Sequence, residues 1–379
     1  MTSFTANSKD LKTALGIACL ATGQGDNLSG HALFKIGQNL KIFSTDRDRI
    51  SISECPIQAS GVEPIDFTSD PKKLTALINS SNSEVINFDY KPEEKTLNVY
   101  ASENSSSYLS FPSLDTDDFN VFLSNATDFD TIKVVDSGIL LAAISFVQGF
   151  ISDDNKDKKF SRLYIENGVF YGSNGSNKVG AFSSPDFDGL NSIIIRKPML
   201  GPLVNMINLT DTKDITIQDN DKFLYFSTDG FGFGFLKVIE EMINFPIEME
   251  TPNCDAFKID KNVFLKKINR LAITGDNQIG IKAHISNNSS ELSTLDERPS
   301  VELMDIVRIS GTESFEFFFK HKLMMSTLKQ FQSSDVDLYV KPKEFRLLAR
   351  SEGDMEINKG VIKKFKSLGL VGLATVDDK

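Results

Sequence analysis

Apolar positions recur at helical spacing in six stretches of the chain, each opening near a polar residue. The periodicity predicts helices over Ser8 to Cys19 (Leu11, Leu15, Ala18), Asp70 to Ser81 (Leu74, Leu77, Ile78) and Asp136 to Ile151 (Leu140, Ala143, Ile144, Val147). It predicts three more over Arg196 to Asn208 (Leu200, Leu203, Val204, Ile207), Asp260 to Ala272 (Phe264, Ile268, Leu271) and Lys320 to Gln332 (Met324, Leu328, Phe331). Asp70 before Pro71 is an N-cap with proline in the first turn, and Asp136 and Asp260 are placed to cap in the same way. Between the helices, short alternating runs bounded by turn residues read as strands, among them His31 to Ile36, Leu40 to Ser44, Ile50 to Ser53, Leu163 to Glu166 and Val169 to Tyr171. Ile215 to Gln218, Phe223 to Ser227, Val336 to Val340 and Phe345 to Arg350 read likewise, and Gly230 to Phe235 is a Phe/Gly strand.

The helix starts fall at 8, 70, 136, 196, 260 and 320, in steps of 62, 66, 60, 64 and 60 residues. Such a period marks an internal repeat: one strand leading in, one helix, then about three strands. A repeat of about 60 residues buries too little surface to stand reliably alone, so repeats should pair. The expectation is an α+β protein of three similar domains, 1–128, 129–252 and 253–379, each of two β-α-β-β-β repeats. The boundaries fall after the acidic stretch Asp115 to Asp118 and at Thr251-Pro252-Asn253.

With 379 residues, 40% hydrophobic and 25% charged, the chain has the composition of a globular protein. Its formal charge of −11 argues against a protein that holds nucleic acid by bulk positive charge. Resolved by segment, the picture changes. The six helical stretches, 79 residues, hold 13 basic and four acidic side chains, leaving 28 basic and 48 acidic over the other 300 residues. The helices therefore carry +9 and the remainder −20. The bases are Lys9, Lys12, Lys72, Lys73, Arg196, Lys197, Lys261, Lys266, Lys267, Arg270, Lys320, Lys322 and Lys329; the third helix has none. The four acids sit in caps or first turns, where the helix dipole favours them, and no helix contains Glu. Lysine is a good helix former on any solvated face, but solvated helices ordinarily mix both signs. A one-signed set points to a polyanion, and a duplex phosphate backbone contacted without base readout fits.

No constellation for catalysis is present. His31, His284 and His321 are far apart and lack metal-ligand spacing, and neither a G-x-S-x-G nor a phosphate-binding G-x-x-x-x-G-K-[ST] occurs. A carboxylate pair of glycosidase type remains open among the many acids, most of which serve solvation. No enzymatic activity, cofactor or metal is expected. Cys19, Cys55 and Cys254 form neither a disulfide framework nor a CxxC site, which suits a reducing compartment. With no signal-peptide layout and no apolar run of about 18 residues, a soluble, cytoplasmic protein is expected, with no membrane partner.

Three stretches resemble the bacterial type of DNA polymerase sliding clamp. Ala32 to Ile36 followed by Leu40 to Asp46 resembles that family's strand, turn and strand ending in A/S-T-D. Ile193 to Lys197 resembles the entry into the second domain's later helix, and Phe245-Pro246 the F-P before the third domain. The resemblance implies a head-to-tail homodimeric ring whose helices line a pore around double-stranded DNA and whose sheets lie outside. Such a ring tethers a DNA polymerase, is opened by a clamp loader and catalyses nothing.

It further implies a partner-peptide pocket. The family's T-D-G-H-R-L stretch aligns with Asn174 to Val179, which makes Lys178 and Val179 one wall; Pro246 supplies another and Val361 a third, near the chain end. Ring closure would bring Leu109 and Phe111 of one subunit against Ala272 and Ile273 of the next. Departures from the family motif, and a chain running on to Lys379, suggest a diverged clamp of a bacterium or of a virus in an infected cell. Two other readings fit the same residues: a monomeric DNA-associated processivity scaffold, and a repetitive structural or virion protein whose basic helices contact nothing.

Overall fold

In the computed structural model, the described residues are 2–372 apart from 25–26, 60–63, 102–106, 124–127, 154–156, 176–177, 246–252, 275–279, 287–289, 296–298, 312–313, 342–345 and 358–360. The elements follow the sixfold period. The first repeat is β1 (Thr2–Asn7), α1 (Ser8–Ala18), a short α2 (Asn27–Gly30), β2 (Ala32–Ile36), β3 (Asn39–Thr45) and β4 (Arg49–Ala59). The second is β5 (Ile65–Ser69), α3 (Pro71–Ser80), β6 (Val85–Lys91), β7 (Thr96–Tyr100) and β8 (Leu109–Pro112), followed by α4 (Asp117–Leu123). The third and fourth are β9 (Asp130–Asp136), α5 (Ser137–Gln148), β10 (Arg162–Glu166), β11 (Val169–Ser173), β12 (Lys178–Ser183), then β13 (Ile193–Arg196), α6 (Lys197–Thr210), β14 (Asp214–Asp219), β15 (Phe223–Thr228) and β16 (Phe231–Leu236). The fifth is β17 (Asp255–Asp260), α7 (Lys261–Thr274), β18 (Gly280–Ser286), β19 (Ser290–Thr294) and β20 (Val301–Met304), with β21 (Val307–Ser310) after it. The sixth is β22 (Ser314–Lys320), α8 (His321–Leu328), β23 (Asp335–Lys341), β24 (Arg346–Ile357) and β25 (Val361–Gly372).

All six expected helices form, and the strand runs named above lie on strands apart from His31, which precedes β2, Gly230, which precedes β16, and Phe345, which lies outside the described residues. Capping works as its chemistry requires: Asp70 accepts the Lys72 and Lys73 amides, and Asp260 accepts that of Val263. The short α2 and α4 were not expected.

Strand pairing repeats with the same logic. The first strand of each odd repeat pairs with the second strand of the repeat after it (β1 with β6, β9 with β14, β17 with β23). The first strand of each even repeat pairs with the second strand of the repeat before it (β5 with β2, β13 with β10, β22 with β18). Antiparallel joints then link the last strand of one repeat to the last strand three repeats on: β4 with β16, and β12 with β25.

The contacts gather into two compact units, Met1–Ser137 with Pro198–Lys237, and Gly138–Lys197 with Val238–Lys379. In the first, Leu11, Leu15, Leu74 and Ile78 of α1 and α3 bury against Phe34, Phe67, Phe88 and Leu97 of the strands. Each such side chain stabilises by about 2 kcal/mol relative to exposure. In the second, Val147 and Phe150 lie over the glycines Gly172 and Gly180, and Phe150 and Thr327 over Gly369; glycine there lets α5 and α8 approach the sheet closely.

Candidate nucleic-acid interface

The basic helices divide into side chains that face open grooves and side chains bound into the fold. In the first unit α1 packs on α3, and between them lies a groove of 920 Å³ lined by Lys9, Lys12, Thr13, Thr75 and Asn79. In the second unit α7 packs on α8, and a groove of 660 Å³ is lined by Asn269, Lys322, Met325 and Lys329. Lys73, Lys266 and Lys320 are also exposed, Lys73 beside the Asp70 carboxylate at 3.7 Å. Each groove presents two lysines among uncharged side chains on paired helices, the first with Glu84 at its border and the second with the apolar Ala272, Ile273 and Met325. That make-up suits non-specific phosphate contact.

The remaining bases have local partners. Lys72 donates to the carbonyls of Thr22 and Gly23, each at 3.4 Å. Lys197 donates to the Ile151 carbonyl at 3.1 Å and pairs with Asp153, whose carboxyl it holds below the ordinary aspartate range chiefly by that hydrogen bond. Lys261 donates to the Phe331 carbonyl at 2.5 Å, and burial lowers the pKa of its ammonium. Lys267 donates to the Leu303 carbonyl, and Arg270 pairs with Glu302 at 3.1 Å, so both reach toward β20. Arg196 ends β13, opposite Arg162 in the ladder.

The residues expected to line a peptide pocket are not gathered at one point. Alternation along β12 puts Lys178 and Val179 on opposite faces of the sheet. Lys178 turns to the helices, donating to the Gly149 carbonyl at 2.8 Å, and burial lowers its pKa. Val179 joins an apolar face with Ala181, Leu348, Leu368, Leu370 and Tyr339. Its cross-strand partner is Leu370, whereas Val361 pairs with Ile357 at the far end of β25. Nine residue steps along the strand separate Val361 from Leu370, about 30 Å. Pro246 lies outside the described residues, but Phe245 beside it covers this face, stacked on Tyr171 with ring centroids 5.0 Å apart and planes 5° apart. Arg162 grips the same connector through Glu240.

Of the residues expected at a subunit contact, Leu109 is 54% exposed on β8, a strand at one end of the first unit's sheet, while Phe111 turns into that unit's core. Ala272 is half-buried and Ile273 exposed, both in the α7–α8 groove. Sequence reading missed β20, an edge strand whose Val301 and Leu303 are 50% and 66% exposed. The only signal was the two-residue alternation of Val301 and Leu303.

Among the described residues no group of His, Cys, Asp or Glu could hold a metal ion, and no helix is long and apolar enough to cross a membrane. Cys55 is buried, with its thiol pushed up to about 12 by desolvation.

No family model matches the sequence, and neither does any curated protein. The fold, by contrast, has many counterparts among solved structures. The DNA polymerase sliding clamp of Caulobacter crescentus superposes with a TM-score of 0.77 at 15% identity, covering 99% of this chain and 100% of that one. That of Pseudomonas aeruginosa gives 0.77 at 16% with the same coverage, and that of Bacillus subtilis 0.76 at 12%, covering 99% of each chain. The chain has the sliding-clamp fold over its full length.

Proposed function

We propose that this protein is a DNA sliding clamp: a head-to-tail homodimeric ring around duplex DNA that tethers a replicative DNA polymerase and catalyses no reaction. The observation that carries this reading is the joint rule of the strands. Two joints within the chain pair the last strand of one repeat with the last strand three repeats on. By the same rule β8, the last strand of the second repeat, and β20, the last strand of the fifth, are partners; they end different sheets within the chain, so each finds its partner in another copy. Both strands are sheet edges and both expose apolar side chains. Such edges invite pairing, and a heterologous contact that closes gives a ring.

In this reading the three domains are 1–128, 129–252 and 253–379, and the α1–α3 and α7–α8 grooves turn their lysines to the phosphates. The acidic remainder repels DNA from the outer surface. A clamp loader opens the ring in the cytoplasm of a bacterium or an infected cell. Partner peptides dock on the face holding Val179 and Leu370.

Loading the protein on nicked circular DNA and then linearising the circle tests the proposal. Retention on the circle with loss on the linear form is expected, together with a dimer on sizing. Equal loss from both forms would sink it, and would favour a monomeric scaffold.

A further inference from the structure

The first compact unit carries a groove that the ring does not use. It has a volume of 520 Å³, and the described residues lining it include Leu28, Phe223 and Leu236 as an apolar floor, the exposed Val121, the cations Arg47 and Lys222 and the carboxylate of Asp118. We propose that this groove is a second docking site, which takes a short apolar peptide segment carrying carboxylates.

Its construction supports this. Phe119 anchors α4 by burying against Leu28 and Leu33, which leaves Val121 of the same helix 67% exposed. An apolar side chain held in water beside an apolar concavity is surface that a ligand covers favourably, by about 25 cal/mol for each Å². The volume lies within the range of about 300–1,000 Å³ typical of ligand pockets.

Charge selects among occupants. On a chain of net −11, the described residues of the lining hold two cations against one anion, which favours an acidic segment over a basic one. A duplex is excluded by shape, since phosphate contact needs a surface and the floor here is a recess of Leu and Phe.

Position in the repeat agrees. The groove is made by the β3–β4 turn, the start of β15 and the end of β16, at the β4–β16 joint. The corresponding parts in the second unit are the β11–β12 turn, the start of β24 and the end of β25, at the β12–β25 joint, which hold Val179 and Leu370. This correspondence, and it alone, rests on the proposed docking of partner peptides at that face.

Methyl NMR of the full chain, with Leu and Val methyls labelled, tests the site. The probe is a tetrapeptide of one leucine and one phenylalanine flanked by aspartates, beside a control flanked by lysines. Shifts at Leu28, Val121 and Leu236 are expected with the acidic peptide, weakened about tenfold for the lysine control and for the R47E/K222E double variant. Val121→Asp, on an exposed position, should abolish them while leaving the remaining methyl spectrum unchanged. Shifts confined to Val179, Leu348 and Leu370 would overturn the second site and leave the first standing. No shift at any of these methyls, or shifts at the groove that grow with protein concentration alone, would overturn it as well. Retention on circular DNA is read separately, so the ring can fail while the groove survives, and the reverse.

Discussion

Arg162 and Glu240 meet in a two-toothed ion pair, Nη1 to Oε2 at 2.5 Å and Nη2 to Oε1 at 3.0 Å, which fastens the connector after β16 to the strand β10. The arginine is almost wholly buried and the glutamate half exposed, so the charge with most to lose is the arginine.

Glu240 is held below the ordinary glutamate value of 4.5, chiefly by the hydrogen bonds from Arg162. A lowered folded value means that the pair's contribution is complete above the unfolded value and fades as pH falls through the folded one. Loosening of the connector is therefore expected only in acid, below about pH 4.5. At neutral pH, Glu240→Ala should speed cleavage after Glu241 by a glutamate-specific endoprotease, and an unchanged cleavage rate would show that the pair does not hold the connector.

Leu303→Asp should yield a monomer in sedimentation at micromolar concentration, with an unchanged far-ultraviolet circular dichroism spectrum because the side chain is exposed in the single chain. The expected loss of dimer affinity is at least about tenfold, since a buried charge would replace an apolar contact. A variant that still sediments as a dimer would place the subunit contact elsewhere.

Alanine at Lys9, Lys12, Lys322 and Lys329 together should flatten the salt dependence of duplex binding, with the log–log slope falling by about 0.9 for each phosphate no longer neutralised. Lys197→Ala and Lys261→Ala should instead lower the melting temperature, because those ammonium groups satisfy backbone carbonyls of the fold. Fluorescence anisotropy across a salt series, read beside thermal melts, separates the two classes.

Gly180→Ala would set a methyl group against the Phe150 ring, and Gly369→Ala one 2.9 Å from the Thr327 methyl. Each should destabilise by about 1–3 kcal/mol, as overpacked sites do. Denaturant melts that show no loss for either would mean that α5 and α8 can move off the sheet freely.

Six helices and their period were legible because each buries one stripe against a sheet, and 3.6-residue spacing records that burial directly. The acidic run at Asp115 to Asp118 hid α4, since two aspartates open that helix and its one buried anchor, Phe119, gives no period to read. The peptide wall assigned to Val361 shows a different limit. Which residue of β25 faces Val179 is set by register against β12, and register depends on pairings distant in sequence. The hairpin of β24 and β25 runs on well past the sheet, so the residue opposite Val179 is Leu370. The split among the lysines was equally hidden, because Lys197, Lys261 and Lys267 bind carbonyls from 36 to 70 positions away.

The joint rule has a mechanical consequence. In a ring closed by β8 and β20, six joints of one kind would stand in a circle, four of them spanned by a covalent connector and two not. A short connector keeps separated strands at millimolar effective concentration, so a spanned joint that opens re-forms readily, whereas an unspanned one has only the long way round the ring to hold its halves near each other. In the proposed ring the gate would fall at the two gaps in the covalent chain, and a single polypeptide carrying two copies in tandem would have one gate in place of two.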